Sequence, residues 1–327
     1  MIITKTPLRL SVGGGGTDLP FFYPKFGGAM VTAAIDKYIY VFVSPRRFHD
    51  EHRIAYSKTE NVRLIDEIQN SRVKEAMKLI GIKEPLEIST ISEVPGTSGL
   101  GSSSAFLVGL LKALHAYKGE HVSSKVLAEE ASKIEIEILK EPIGKQDQYA
   151  SSHGGIIHLD ISKTGNVATT RINLRADTLK DLDNHLFMFY TGIQRSASEV
   201  IRDQTIRAVS DDDKMNCMLK IKEIGQDIKN ALEAGNAKRF GELMHTHWET
   251  KKQMSEKMTN PQIDEWYNLG LKNGALGGKI MGAGGGGFLL FYTERKASEF
   301  IKSMEESGLK YVPFKFDFDG SRIIHNA

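Results

Sequence analysis

The chain has 327 residues, and its 43 lysines and arginines nearly balance 41 aspartates and glutamates, which leaves a net charge of +2. This balance excludes the strongly basic surface that nucleic acid or an anionic membrane requires, so neither is expected as a partner. About 40% of the residues are hydrophobic, enough for two modest domains. The single cysteine, Cys217, excludes an internal disulfide. No signal-like or membrane-spanning apolar run is present, and we expect a cytoplasmic protein.

The first half of the chain combines short apolar strands with two helical stripes. Its β-branched and aromatic content predicts strands over 29–43, 54–56, 86–91 and 155–159. Apolar residues at helical spacing predict helices over 102–117 and 122–140.

The second half starts with a predicted strand over 186–190 and continues as a charge-rich, helix-rich stretch over 196–271. Two buried strands are predicted around 279–281 and 288–292. The change in composition near residue 180 predicts two domains, 1–180 and 181–327.

Glycine clusters occur at 13–16, 96–101 and 282–287, each flanked by predicted strands or helices rather than by linker sequence. The second cluster leads directly into the helix over 102–117. Unpaired N–H groups and the helix dipole at such a point bind phosphate. A Walker A loop is excluded because Ser102 stands where lysine is needed, and Ser104 replaces the third glycine of a dinucleotide fingerprint. The alternative is that the three serines merely cap the helix.

Three segments of the chain carry recognisable motifs. Residues Pro95 to Ser103 read P-x-x-x-G-L-G-S-S, and Thr6-Pro7-Leu8-Arg9 is followed by Thr17-Asp18. A glycine-rich loop between predicted strands runs from Lys279 to Phe288. In this order, and spanning nearly the whole chain, the three motifs resemble those of the galactokinase, homoserine kinase, mevalonate kinase and phosphomevalonate kinase (GHMP) superfamily.

The resemblance implies an α+β fold of two domains, the first ribosomal protein S5 domain 2-like and the second ferredoxin-like. It also implies ATP and Mg²⁺ as cofactors, with both substrates in a cleft between the domains, and it leaves a homodimer open. The expected ATP-binding residues form the loop before and at the start of the helix, namely Pro95, Gly96, Ser98, Gly99, Leu100, Gly101, Ser102, Ser103 and Ser104.

For the chemistry, the resemblance implies Asp147 as the base that accepts the substrate proton and Arg9 as its partner. The metal is assigned to Ser103 and Glu135, because Glu135 precedes Asp147 by the family's twelve residues. Glu137 is the fallback. Each of these residues has a plain alternative: a turn residue for Asp147, a surface strand residue for Arg9, and a solvated helix face for either glutamate.

The sugar is expected to contact Gly13, Gly14, Gly15, Gly16, Thr17 and Asp18, with Gly284 and Gly285 closing the cleft. Galactokinases carry Glu-His where this chain has Gly15-Gly16, which argues against galactose. The full motif set is most similar to kinases of D-glycero-D-manno-heptose 7-phosphate, which act on the anomeric hydroxyl. Arg195, at a predicted helix start, is a candidate for the 7-phosphate, with a plain surface arginine as the alternative. Lys145 could contact a phosphate or pair with Glu141.

Two other functions stay open at this point. Kinases of fucose and related free sugars share the motif set and need no second phosphate site. A sensor that binds ATP and sugar without turnover is the alternative from another class, although Arg9, Ser103, Glu135 and Asp147 are all intact.

Overall fold

The computed structural model describes residues 1–96, 98–194 and 196–327. The strands are β1 (Ile2–Gly13), β2 (Gly28–Pro45), β3 (His52–Ala55), β4 (Thr59–Val62), β5 (Leu86–Ser92), β6 (Ile156–Ile161), β7 (Val167–Arg171), β8 (Leu186–Tyr190), β9 (Ala275–Ile280), β10 (Phe288–Thr293), β11 (Lys310–Tyr311) and β12 (Arg322–Asn326). The helices are α1 (Tyr23–Phe26), α2 (Ser71–Ile80), α3 (Ser102–Tyr117), α4 (Ser124–Ser132), α5 (Gln146–His153), α6 (Ala176–His185), α7 (Ala197–Ser210), α8 (Asp212–Glu233), α9 (Ala237–Lys252), α10 (Pro261–Lys272) and α11 (Ala297–Glu306). A π-helical turn, Lys133–Ile138, continues α4. No helix among the described residues is long and apolar enough to cross a membrane.

The first sheet is built around the long strand β2. Its order is β12-β1-β2-β5-β3-β4. In addition, β6 pairs with the first part of β2 on one side and with β7 on the other. All pairings in this sheet are antiparallel except that of β3 with β5. The register of β1 on β2 shifts between Pro7 and Leu8 and again between Ser11 and Gly13, so the pairing is irregular on both sides of Arg9.

Helix α3 packs on β1 and β2, and its leucines fill the core beneath the sheet. Gly109 lets the helix approach β1 closely, because a methyl group there would lie 2.7 Å from Oγ1 of Thr6. Thr4 fixes the contact by donating from Oγ1 to the Gly109 carbonyl at 3.0 Å. This packing holds the start of α3 beside the middle of β1, where the N–H of Arg9 donates to the Leu100 carbonyl at 3.1 Å.

The second sheet has the antiparallel order β11-β8-β10-β9. Aromatic side chains form much of the core on one face, with Phe189, Phe291 and Phe300 in mutual edge contact. Helix α9 lies between the two sheets and contacts β9, β1 and α8. The mixture of antiparallel strands and packed helices confirms the expected α+β class.

The chain returns to the first sheet at its C-terminal end. β12 pairs with β1, and the Asp36 N–H donates to the Lys315 carbonyl at 2.8 Å. A division into 1–180 and 181–327 therefore shares one sheet between both parts. We keep the boundary near residue 180 as a proposal, in which the C-terminal strand β12 returns to the sheet of the first domain.

Most predicted elements agree with the structure. α3 has the predicted bounds, and β2, β5, β6, β8, β9 and β10 occupy their predicted stretches within a few residues. The single helix predicted over 122–140 is wrong in detail, since α4 ends at Ser132 and a π-helical turn follows. The elements without a predicted counterpart are β1, β4, β7, β11, β12, α1, α2, α5, α6 and α11. Most of them are short or partly exposed, but α2 carries Val73, Ala76 and Met77 at helical spacing, so a local signal for this helix was present.

Candidate active site

A cavity of about 420 Å³ opens between the first sheet and the helices that follow β8. Its walls come from β1, the loop at the start of α3, the loop before α5, the start of α7 and the loop after β9. This volume falls within the usual range for small-molecule sites. Every glycine cluster found in the sequence contributes at least one residue to the walls.

Arg9 of β1 and Asp147 in the first turn of α5 form a forked ion pair in this cavity. Nε of Arg9 donates to Oδ1 of Asp147 at 2.7 Å, and Nη2 donates to Oδ2 at 2.9 Å. Nη1 donates to the Gly99 carbonyl at 2.6 Å. Two parallel charge-assisted bonds fix the orientation of a carboxylate. The structure thus brings together the two side chains predicted as catalytic, and their catalytic roles stay a prediction.

The phosphate loop packs against this pair. Gly101 adopts a left-handed φ of 76°, and a methyl group there would lie 3.0 Å from Oδ2 of Asp147, so no larger residue fits. Ser102 and Ser103 sit at the start of α3 and line the cavity, where the first N–H groups of the helix are free of helical partners. Oγ of Ser98 is buried without a hydrogen-bond partner among the described residues.

Four of the nine residues assigned to ATP from the sequence do not line the cavity, namely Pro95, Gly96, Ser98 and Leu100. Leu100 is fully buried in the core, and Pro95 is exposed. Gly96 is exposed as well. The predicted contact of ATP with Pro95 and Gly96 therefore stays a prediction that the cavity does not support.

Glu135 lies in the π-helical turn, lines the cavity and has no exposed surface. Its Oε2 accepts from Oγ of Ser104 at 2.7 Å and from Nε2 of Gln148 at 2.6 Å. Its Oε1 accepts from Nε of Arg72 at 2.9 Å. Burial raises the pKa of Glu135, and the guanidinium of Arg72 acts against that rise. Glu137 is exposed and does not line the cavity, so the position favours Glu135 over this fallback.

The oxygen donors present fit Mg²⁺, which binds proteins through one or two carboxylates and keeps water and phosphate oxygens as its other ligands. The Ser103 hydroxyl and the Glu135 carboxylate line the same cavity, and Oε1 of Glu135 keeps one lone pair beside its bond to Arg72. The structure places Ser104, not Ser103, in direct contact with Glu135. Ser103 is the exposed serine and is free to turn toward a ligand.

Asp18 is buried at the cavity wall, and its Oδ2 accepts from the backbone N–H of Gln146 at 3.0 Å. Burial raises the pKa of Asp18, the Gln146 N–H lowers it, and the nearby Asp147 raises it further. A carboxyl group in this setting can exchange hydrogen bonds with a sugar hydroxyl.

The remaining residues of the N-terminal glycine run differ from expectation. Gly15 lines the cavity, whereas Gly13 and Gly14 pack against Ile228 and Gly225 of α8. Thr17 is fully buried and donates from Oγ1 to the carbonyls of Gly14 and Ala29 at 2.8 and 3.1 Å. Substrate contacts by Gly13, Gly14 and Thr17 stay predictions that the cavity does not support, because these residues do not line it and their neighbours are protein atoms. Gly16 is half-buried against Gln204 and is not a lining residue.

The C-terminal glycine loop contacts the phosphate loop directly. A methyl group at Gly282 would lie 2.7 Å from the Gly99 carbonyl oxygen, so the two backbones touch. Gly282 and Ala283 line the cavity. Gly284 and Gly285 do not line the cavity, since both are buried against Met258, whose carbonyl accepts from the Gly285 N–H at 2.6 Å. Their contact with the substrate stays a prediction that the cavity does not support.

Two further candidates concern positive charge. Lys145 donates from Nζ to the Gly165 carbonyl at 2.5 Å and lies over the ring of Tyr23, while Glu141 pairs with Arg72. Glu141 therefore pairs with Arg72 and not with Lys145. Lys145 does not line the cavity, and its contact with a phosphate stays a prediction. Arg195 lies outside the described residues, and its contact with a 7-phosphate stays a prediction. Its neighbours Ser196, Ala197 and Ser198, at the start of α7, do line the cavity.

Sequence reasoning missed Arg72 and Lys251, which both line the cavity. Arg72 joins Glu135 to Glu141, and Lys251 donates from Nζ to the Gly282 carbonyl at 2.8 Å. Both residues lie in helices with many other exposed charges. Neither stands at a recognisable spacing from a glycine loop, so no local signal distinguished them.

Comparison with protein families gives two matches. The GHMP kinases N terminal domain matches residues 69–155, and the GHMP kinases C terminal domain matches residues 228–309. Together the matches span about half of the chain. They include the phosphate loop, Glu135, Asp147 and the C-terminal glycine loop.

Individual relatives cover more of the sequence. D-glycero-alpha-D-manno-heptose 7-phosphate kinase of Campylobacter jejuni is 29% identical and covers 98% of this chain and 97% of its own. L-fucokinase/L-fucose-1-P guanylyltransferase of Bacteroides fragilis is 27% identical, covering 87% of this chain but 34% of that protein. The solved structure of a D-glycero-D-manno-heptose 1-phosphate kinase from Bacteroides thetaiotaomicron aligns over the full length of both chains with a TM-score of 0.82 and 23% identity.

Proposed function

The chain belongs to the GHMP kinases and is a sugar kinase of that family, and from this premise we propose that it phosphorylates O1 of D-glycero-α-D-manno-heptose 7-phosphate. ATP is the phosphate donor, and the product is the 1,7-bisphosphate, an early intermediate toward nucleotide-activated heptose. The full-length similarity to a heptose 7-phosphate kinase supports this substrate.

The observation that carries the proposal is the meeting of two helix N-termini at one cavity. The start of α3 and the start of α7 both line it, and the Arg9–Asp147 pair lies in the same cavity. Each helix start presents free N–H groups and a partial positive charge. One start suits the phosphates of ATP, and the other suits a phosphate already carried by the sugar. Arg195 is proposed to assist at the second position.

Phosphoryl transfer then needs a hydroxyl group placed in line with the terminal phosphate. We assign Asp18 and Gly15 to holding the sugar and Asp147 to accepting the proton of the O1 hydroxyl. The oxygen of O1 forms the new bond to the phosphorus, and the bond from that phosphorus to the ADP oxygen breaks. Arg9 keeps Asp147 oriented through its forked pair and adds positive charge beside the transferred group.

Mg²⁺, when bound, neutralises charge on the ATP phosphates. Glu135 and Ser103 are the residues proposed to hold it. Arg72, Ser104 and Gln148 keep the carboxylate of Glu135 in one orientation.

A free-sugar kinase acting at the anomeric position is the second candidate, and the similarity to L-fucokinase favours it. A kinase of a free sugar differs from the proposed heptose phosphate kinase because its substrate needs no phosphate site at the start of α7. A sensor without turnover is less well supported, because the Arg9–Asp147 pair and the buried Glu135 are both assembled.

The test is ADP release with Mg²⁺ and ATP across D-glycero-D-manno-heptose 7-phosphate, free heptose, mannose 6-phosphate, fucose and galactose. We expect the heptose phosphate to have the highest kcat/KM. Asp147→Asn should reduce kcat by about 10²-fold or more, the usual contribution of a positioned base. Faster turnover of fucose would replace the proposal with the second candidate. ATP binding without turnover of any sugar would favour the sensor.

A further inference from the structure

Lys279 is a buried amine that the reaction described above does not use. It lies in β9, three residues before Gly282, and has no exposed surface. Its Nζ has no hydrogen-bond partner among the described residues. A buried ammonium ion without a partner is among the most costly groups a protein can hold, so the amine must be neutral or must gain a counter-charge.

The charged groups around Lys279 are all of the same sign. Within the part of the chain that the structure describes, Lys251 of α9 and Arg9 of β1 are the charges that act on it. Burial lowers the pKa of Lys279 well below its usual value, and these two cations lower it further. His247 of α9 is also fully buried near Lys279 and Lys251, with both ring nitrogens unpartnered.

This group is closely coupled to the active site. Arg9 holds Asp147, and Lys251 holds the Gly282 carbonyl at the cavity wall. Gly282 in turn touches Gly99 of the phosphate loop. A nucleotide that brings several negative charges into the cavity therefore changes the electrostatic potential at Lys279, which lies in a low-dielectric interior where such charges act strongly.

We propose that Lys279 is neutral while the cavity is empty and takes up one proton from solvent when phosphate groups fill it. The ammonium then compensates part of the nucleotide charge from beneath the glycine loop. Binding and protonation are linked, so nucleotide affinity rises as pH is lowered. The proposal depends on the cavity binding nucleotide phosphate and does not depend on which sugar is the acceptor.

The test is calorimetric titration of the full chain with MgADP at about pH 8, where the terminal phosphate is already ionised because its second pKa is about 6. Titration in two buffers of different ionisation enthalpy gives the number of protons taken up. We expect net uptake in the wild type and none in Lys279→Met, with affinity reduced about tenfold, a typical coupling between two sites. His247→Gln should keep the uptake.

A second readout separates this role from a structural one. Lys279→Met should raise the melting temperature of the ligand-free protein, because an apolar side chain replaces a buried amine without a partner. MgADP should stabilise that variant less than it stabilises the wild type. The proposal would be overturned if the wild type took up no proton, or if Lys279→Met took up as many protons as the wild type. Loss of uptake in His247→Gln would also overturn it. Failure of every sugar to turn over would leave this result intact.

Discussion

At the scale of single residues, the position of Asp18 depends on the absence of a side chain at Gly144. A methyl group at Gly144 would overlap the carboxylate of Asp18, and both residues line the cavity. Asp18 has little room to move, because it is buried and bonded to the Gln146 N–H. The proposed contact of Asp18 with the sugar therefore depends on Gly144, which has no side chain of its own to contribute.

Gly144→Ala should lower kcat/KM for the sugar by about 10²-fold, the usual cost of displacing a positioning group by about 1 Å. The KM for ATP should change little. Gly109→Ala is the matched control, since its methyl group meets Thr6 in the core away from the cavity and should cost stability alone. Steady-state kinetics of both variants with their melting temperatures check this, and wild-type sugar kinetics in Gly144→Ala would contradict it.

At the scale of elements, Arg72 connects three segments that are distant in sequence. From α2, Nε of Arg72 donates to Oε1 of Glu135 in the π-helical turn at 2.9 Å. Its Nη2 donates to Oε2 of Glu141, before α5, at 2.6 Å. Through Glu135, Arg72 also reaches Ser104 at the start of α3. The pair with Glu135 is buried on the glutamate side, whereas Glu141 is partly exposed.

Arg72→Met should therefore cost about 3 kcal/mol of unfolding free energy, because it leaves Glu135 buried without its cation. Glu141→Gln should cost about 1 kcal/mol or less, as an exposed partner does. Urea unfolding of the two variants measures the difference. An equal small loss in both would show that Arg72 does not compensate Glu135.

The elements show where sequence reasoning succeeded. The helix Ser102–Tyr117 was predicted to its ends because a glycine turn precedes it and its apolar stripe is continuous. The π-helical turn was not predicted, because the apolar spacing of the sequence does not distinguish it from a continuous α-helix. The turn contains Glu135, whose carboxylate accepts from Oγ of Ser104 in α3. The roles of Gly13 and Gly14 were missed because their neighbours in α8 lie some 200 residues further along the chain.

At the scale of the whole molecule, the cavity exists because three glycine loops converge between two sheets. The resemblance that the motifs carry to the GHMP superfamily implied that convergence and the pairing of Arg9 with Asp147. The motifs were not enough to predict that Lys251 and Lys279 are buried, because lysines are usually exposed. Lys251 lies outside the motifs, and Lys279 begins the third motif without any sign in the sequence that its side chain is buried. Whether a lysine is buried depends on how the chain packs, and composition does not indicate it.

The most direct test of the account is phosphorus NMR of the product made from D-glycero-D-manno-heptose 7-phosphate, Mg²⁺ and ATP. We predict a second sugar phosphate signal whose phosphorus couples to the anomeric proton, formed by the wild type and not by Asp147→Asn. A new phosphate on any other oxygen of the heptose would contradict the assignment of this cavity. So would an unchanged spectrum of heptose 7-phosphate if a free sugar is phosphorylated under the same conditions.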